Sequence, residues 1–191
     1  MNFTEGNLFH IYNEGNNKQR IFFNDENYFY FLGKVRKYIS PNCDLLAYCL
    51  MPNQFNFLIR ANSRTVSFDK NNKNFLSEGF KNLLSSYAKA VNVRENRTGS
   101  LFRQNTKCKK VDDGLIQAVI CFLYIHQIPM KKGIVNHLEE WLFSSFRDYT
   151  GFRNGTLCNK DLTIQLLGLV KEDLYSISYR NLPGKDCLNI F

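Results

Sequence analysis

No apolar run in the chain approaches the roughly 20 residues that a membrane-spanning helix requires, so the expectation is no membrane association. The first residues, Met1-Asn2-Phe3-Thr4-Glu5, lack the basic start and apolar stretch of a secretory signal, which predicts a cytoplasmic protein. No Cys-x-x-Cys pair occurs among Cys43, Cys49, Cys108, Cys121, Cys158 and Cys187, and no histidine stands at zinc-finger spacing from them. The thiols therefore read as buried or incidental ones in a reducing compartment. Internal repeats, low-complexity tracts and flexible linkers are also missing. Only three histidines are present, His10, His126 and His137, and a lone histidine is more often structural than ligating.

What is present is a core and a basic segment. With 191 residues, 44% hydrophobic and 15% aromatic, the chain suits one compact domain, read as residues 1–150, and a short tail, 151–191. The net charge of +8 is uneven. From Arg60 to Lys110 there are twelve Lys and Arg against Asp69, Glu78 and Glu95, a net of +9, leaving 8 − 9 = −1 for the remainder. Such a segment is the footprint of a polyanion binder, although charge runs are often only a solvated surface.

Leu8 to Asn13 reads as a strand, followed by a turn at Glu14-Gly15-Asn16-Asn17. Asn24-Asp25 can cap a helix from about Glu26 to Ser40, with Tyr28, Phe31, Leu32, Val35 and Ile39 on one face. Cys43 to Leu50 and Gln54 to Arg60 form an expected antiparallel pair around Met51-Pro52-Asn53. Asn74 to Arg94 reads as a long amphipathic helix and Thr106 to Val111 as a basic edge strand. Asp112-Asp113 can cap a helix from Gly114 to about His126, expected to stop before Pro129. A helical tail is centred on Asp161 to Val170. The order predicts an α+β fold: an antiparallel sheet in ferredoxin-like (βαββαβ) order with packed helices.

Five segments carry further identity. They are His10-Ile11-Tyr12-Asn13-Glu14-Gly15-Asn16-Asn17 with Ile21-Phe22; Leu46-Ala47-Tyr48-Cys49-Leu50-Met51-Pro52-Asn53; Thr98-Gly99-Ser100-Leu101-Phe102 with the basic strand to Val111-Asp112; Tyr124-Ile125-His126 with Pro129; and Trp141 through Gly151. In this order and spacing the chain from Leu8 to Gly151 resembles the single-tyrosine HUH transposases, especially the REP-associated tyrosine transposases and insertion-sequence-200-like transposases. The resemblance implies a HUH-endonuclease-like fold and a role in DNA transposition and recombination of a mobile element. It also implies single-stranded DNA with a hairpin as partner, and either a monomer or a homodimer.

In that family two histidines flanking one apolar residue on a strand hold Mg²⁺ or Mn²⁺. A helix-borne tyrosine attacks the scissile phosphate and becomes joined to the DNA 5′ end, and a polar residue one turn later completes the metal site. Here the matching strand reads Gln54-Phe55-Asn56, and the residue four after the matched nucleophile Tyr124 is Ile128. The expectation is no bound metal and no cleavage, since two neutral amides are poor ligands and Ile128 offers no donor. Tyr124 is read either as a preserved nucleophile or as an aromatic packed under the sheet. The resemblance places Arg60, Lys81, Lys89, Arg94, Arg97, Arg103, Lys107, Lys109 and Lys110 where relatives grip DNA, with Tyr87 and Phe102 able to stack on bases. Two other readings stand beside DNA binding without cleavage. One is an active nickase using Tyr124 with a substituted metal site, to which His10 and His126 can contribute. The other is an RNA-binding module.

Overall fold

A computed structural model describes residues 1–111 and 114–182 of the chain. Four strands, β1 (Leu8–Glu14), β2 (Asp44–Met51), β3 (Gln54–Arg60) and β4 (Lys107–Lys110), form one antiparallel sheet in the order β2-β3-β1-β4. Every neighbouring pair is antiparallel, the ferredoxin-like arrangement expected from the sequence. The β2–β3 hairpin turns through Pro52-Asn53, with Met51 opposite Gln54, and a register shift between Leu45 and Ala47 marks a bulge in β2.

Two helices cover one face of the sheet. Helix α1 (Asp25–Tyr38) starts where Asn24 Oδ1 accepts the Asn27 backbone N–H at 3.1 Å, as the Asn24-Asp25 signal predicts. Helix α2 (Phe75–Arg94) is capped in the same way by Asn74, whose side chain accepts from Ser77 N. The helices approach closely at Gly79, where an added Cβ would lie 2.3 Å from the Tyr38 carbonyl oxygen. Their apolar stripes meet the inward side of β3: Phe31 lies 5.5 Å from Phe55 and 4.9 Å from Tyr87, and Phe57 lies 6.3 Å from Phe80. Burying each of these rings contributes roughly 1.5–3 kcal/mol.

The opposite face carries α3 (Leu115–Lys131). The sequence signal for its end was wrong, because Pro129 lies inside the helix, which continues to Lys131. Proline removes one N–H and crowds the preceding turn, but only two helical residues follow it. The chain then closes through Lys132 N to Ile128 O at 3.0 Å and Gly133 N to Met130 O at 2.9 Å, with Gly133 at φ 66°. The helix starts at Leu115 with Gly114 as N-cap, and the predicted Asp112-Asp113 cap lies outside the described residues. Three short helices follow: α4 (Phe146–Tyr149), α5 (Lys160–Leu166) and α6 (Leu174–Ser178). Asn159 N donates to Leu45 O at 2.9 Å, and the Tyr149 hydroxyl donates to Thr163 Oγ1 at 2.9 Å, fastening α5 to β2 and α4. No helix among the described residues is long and apolar enough to cross a membrane.

Candidate nucleic-acid interface

Strand alternation sorts side chains between the two faces. Phe55 and Phe57 point to α1 and α2, so Gln54 and Asn56 point to the α3 side. In register with them on β1 are Glu14, opposite Gln54, and Tyr12, opposite Asn56. On β4, Lys107 lies opposite Tyr12 and Lys109 opposite His10. Directly paired residues share a face, so His10, Tyr12, Gln54, Asn56, Lys107 and Lys109 form one polar stripe. His10 stacks on Tyr12 with ring centroids 4.8 Å apart. Its Nε2 lies 3.1 Å from Asn56 Oδ1, a hydrogen bond when Nε2 carries the proton. The Asn56 amide nitrogen is buried without an acceptor.

Tyr124 projects from α3 toward this stripe. Burial pushes its phenol above the ordinary tyrosine value, and Cys121 and the neighbouring Tyr12 phenol push it further in the same direction. A phenol with a raised pKa stays protonated at neutral pH and is a weak nucleophile. The Lys131 ammonium stands 5.1 Å from the Tyr124 ring centroid. Ile128 is buried at 2% exposure and supplies only hydrocarbon. Gln127, the amide next to Ile128 on this helix, donates to Ser178 O at 2.8 Å and Arg180 O at 2.9 Å, in the tail.

These residues do not fit a hard divalent cation, which needs several oxygen donors converging on one point. The Asn56 oxygen is engaged by His10. Among the described residues, no group of three His, Cys, Asp or Glu side chains is placed to hold a metal ion. His126 does not join the stripe. It is buried, with Nε2 2.8 Å from Ser145 Oγ and its ring against Phe122 at 4.5 Å. Burial pushes its pKa down to about 3. The exposed His137 precedes a short turn, where its backbone N–H donates to Glu140 Oε2 at 3.1 Å.

The basic residues expected to grip DNA are not gathered on one surface. Lys81, Lys89 and Arg94 belong to α2, on the opposite side of the sheet from the stripe. Several are already paired: Arg94 with Glu26 at 2.6 Å, Arg103 with Glu14 at 2.8 Å, Lys81 with Glu78 at 3.5 Å and Arg60 with Asp44 at 3.9 Å. Arg97 donates to Gln19 Oε1 at 2.6 Å. Lys110 alternates to the α2 side of β4. By contrast, Lys89, Lys107, Lys109 and Lys131 have no carboxylate within ion-pair distance among the described residues.

Two expected base-stacking residues are corrected. Tyr87 is fully buried and its hydroxyl donates to Ile21 O at 2.7 Å, while Phe102 is buried between Phe55 and Tyr87. Both belong to the aromatic core, because the α2 stripe that carries Tyr87 is the face that packs on the sheet. The sequence reading missed Tyr12 and Lys131. Lys131 follows Tyr124 by seven residues, two turns along one helix face, but the expected stop before Pro129 left it outside the helix.

No family model matches the sequence, and no curated protein matches it. Among solved structures, a REP-associated tyrosine transposase bound to a REP hairpin matches over 82% of this chain and 87% of that one. The TM-score is 0.61 and the sequence identity 12%. The two chains share a fold.

Proposed function

We propose that this chain is a DNA-binding protein descended from the single-tyrosine transposases, which holds single-stranded hairpin DNA without cutting it. The observation that carries the reading is the stripe facing Tyr124. The two positions matched to metal-binding histidines are the amides Gln54 and Asn56, the Asn56 oxygen is bonded to His10, and Ile128 has no donor. The fold shared with a hairpin-bound transposase supports DNA as the partner. Unpaired lysines on the same stripe support contact with phosphate, since Lys neutralises backbone charge without reading sequence.

The test is a hairpin DNA with a single-stranded extension, incubated with the protein in Mg²⁺ or Mn²⁺ and resolved on denaturing gels. The expected result is salt-sensitive binding, with no nick and no protein–DNA adduct. An adduct that disappears in EDTA and in Tyr124→Phe makes the protein an active nickase and overturns the reading. Matched RNA that outcompetes the hairpin overturns the choice of DNA.

A gain-of-function series tests the cause. The triple change Gln54→His, Asn56→His and Ile128→Asn is expected to bind Mn²⁺ detectably by calorimetry, and the double histidine change is expected to bind it less well. Equal binding by the double and triple variants would remove Ile128 from the explanation.

A further inference from the structure

The stripe concentrates uncommitted positive charge around a pair of tyrosines, and this observation carries further than the general expectation of DNA binding. Lys107 lies directly across from Tyr12 on an exposed edge strand. Lys131 reaches the Tyr124 ring from the helix above, and the Tyr12 phenol adjoins that of Tyr124 closely enough to raise its pKa. The Tyr12 hydroxyl makes no hydrogen bond within the protein among the described residues, which leaves it as a donor. Glu14, on the same face, is paired with Arg103 at 2.8 Å. Lys107 and Lys109 are separated by two strand residues, about 7 Å, close to the spacing of successive phosphates in an extended nucleic-acid strand.

We propose that Lys107 and Lys131, with the Tyr12 hydroxyl between them, form a metal-independent dock for one backbone phosphodiester of single-stranded DNA, and that Lys109 receives the adjacent phosphate. The proposal rests on the DNA-binding function proposed above. Ammonium groups supply the charge and the hydroxyl supplies directional hydrogen bonding. Neither group polarises the phosphorus–oxygen bond as a divalent ion does, so the site holds phosphate without activating it. Edge lysines also discourage strand-to-strand aggregation, but that role alone predicts no effect on DNA binding.

The experiment measures fluorescence anisotropy of a hairpin DNA with a single-stranded extension, in EDTA, across a salt series. The wild type is expected to bind as well in EDTA as in Mg²⁺. Lys107→Gln with Lys131→Gln should weaken binding and reduce the slope of log K against log salt by about 0.7, the value for one phosphate contact on a single strand. Lys171→Gln, in the tail, should leave the slope unchanged. A scan of single neutral methylphosphonate linkages should find one position that weakens the wild type and not the double variant. If the double variant fails to fold, Lys107→Gln alone, at an exposed position, should show about half the slope change. A folded double variant with wild-type slope and affinity overturns the dock and leaves DNA binding standing. Binding that requires Mg²⁺ also overturns the dock. No binding by the wild type overturns both this inference and the function on which it rests.

Discussion

The two faces of the sheet are built from alternate residues of the same strands and differ in almost every physical respect. The α1–α2 face is an aromatic cluster of Phe22, Phe31, Phe55, Phe57, Phe80, Tyr87 and Phe102, all buried. The α3 face carries His10, Tyr12, Gln54, Asn56, Lys107 and Lys109, with a buried amide nitrogen left without an acceptor. The aromatic rings concentrate in the first, while aliphatic core residues such as Leu58, Ile125 and Ile128 continue the core under α3. The second tolerates a polar arrangement that a core selected only for stability would avoid. The comparison teaches that Gln54 and Asn56 can vary without disturbing the aromatic cluster, because strand alternation sets them on the opposite face of β3 from Phe55 and Phe57.

The largest effect that can break this comparison is on the aromatic side. Phe31→Ala removes a ring that touches Phe22, Phe55 and Tyr87 and should cost about 3–5 kcal/mol in urea unfolding. A loss below about 1 kcal/mol would show that the stability does not reside there.

The α3 side should reveal itself through acid. His126 has its pKa depressed to about 3 from 6.5 by burial, so between those values the unfolded chain binds a proton that the native chain does not. Stability should therefore fall as pH drops below about 6.5, by up to about 1.4 kcal/mol per pH unit while His126 dominates, until about pH 3. Urea titrations from pH 7 to 4 should show a shallower fall in His126→Gln. Parallel curves for the two proteins would remove His126 as the cause.

A smaller effect is expected within the stripe. Asn56→Leu removes the bond to His10, worth about 1 kcal/mol, and also the amide nitrogen that lacks an acceptor. The two changes oppose, and the midpoint of urea unfolding should move by no more than about 1 kcal/mol equivalent. A loss rivalling that of Phe31→Ala would make the stripe part of the structural core. The smallest effect belongs to Lys89, exposed on the aromatic side. Lys89→Gln should change stability and hairpin affinity by less than about 0.5 kcal/mol. A larger drop in affinity would place DNA on the α1–α2 side.

Much of the architecture was legible because local signals and tertiary demands agree. Asn24 and Asn74 cap the helices they precede, Gln54 to Arg60 is a strand with the bounds read from its sequence, and Gln54 and Asn56 share a face because strand period is two. The end of α3 was not legible, since a proline two residues before a helix terminus sacrifices little and packing can override it. Residue type also failed to separate Tyr87 from Tyr12. One is fully buried against the sheet and the other faces the stripe, opposite Lys107.

The sequence by itself determined the order of elements, the period that sets Gln54 and Asn56 on one face, and the absence of any donor at Ile128. These follow from covalent geometry and side-chain chemistry. Tertiary structure alone decided which cations remain uncommitted, that His10 holds the Asn56 oxygen, and that Lys131 reaches Tyr124. Those facts depend on contacts between residues far apart in sequence, where a carboxylate or a ring a few ångströms away decides what each charge can do.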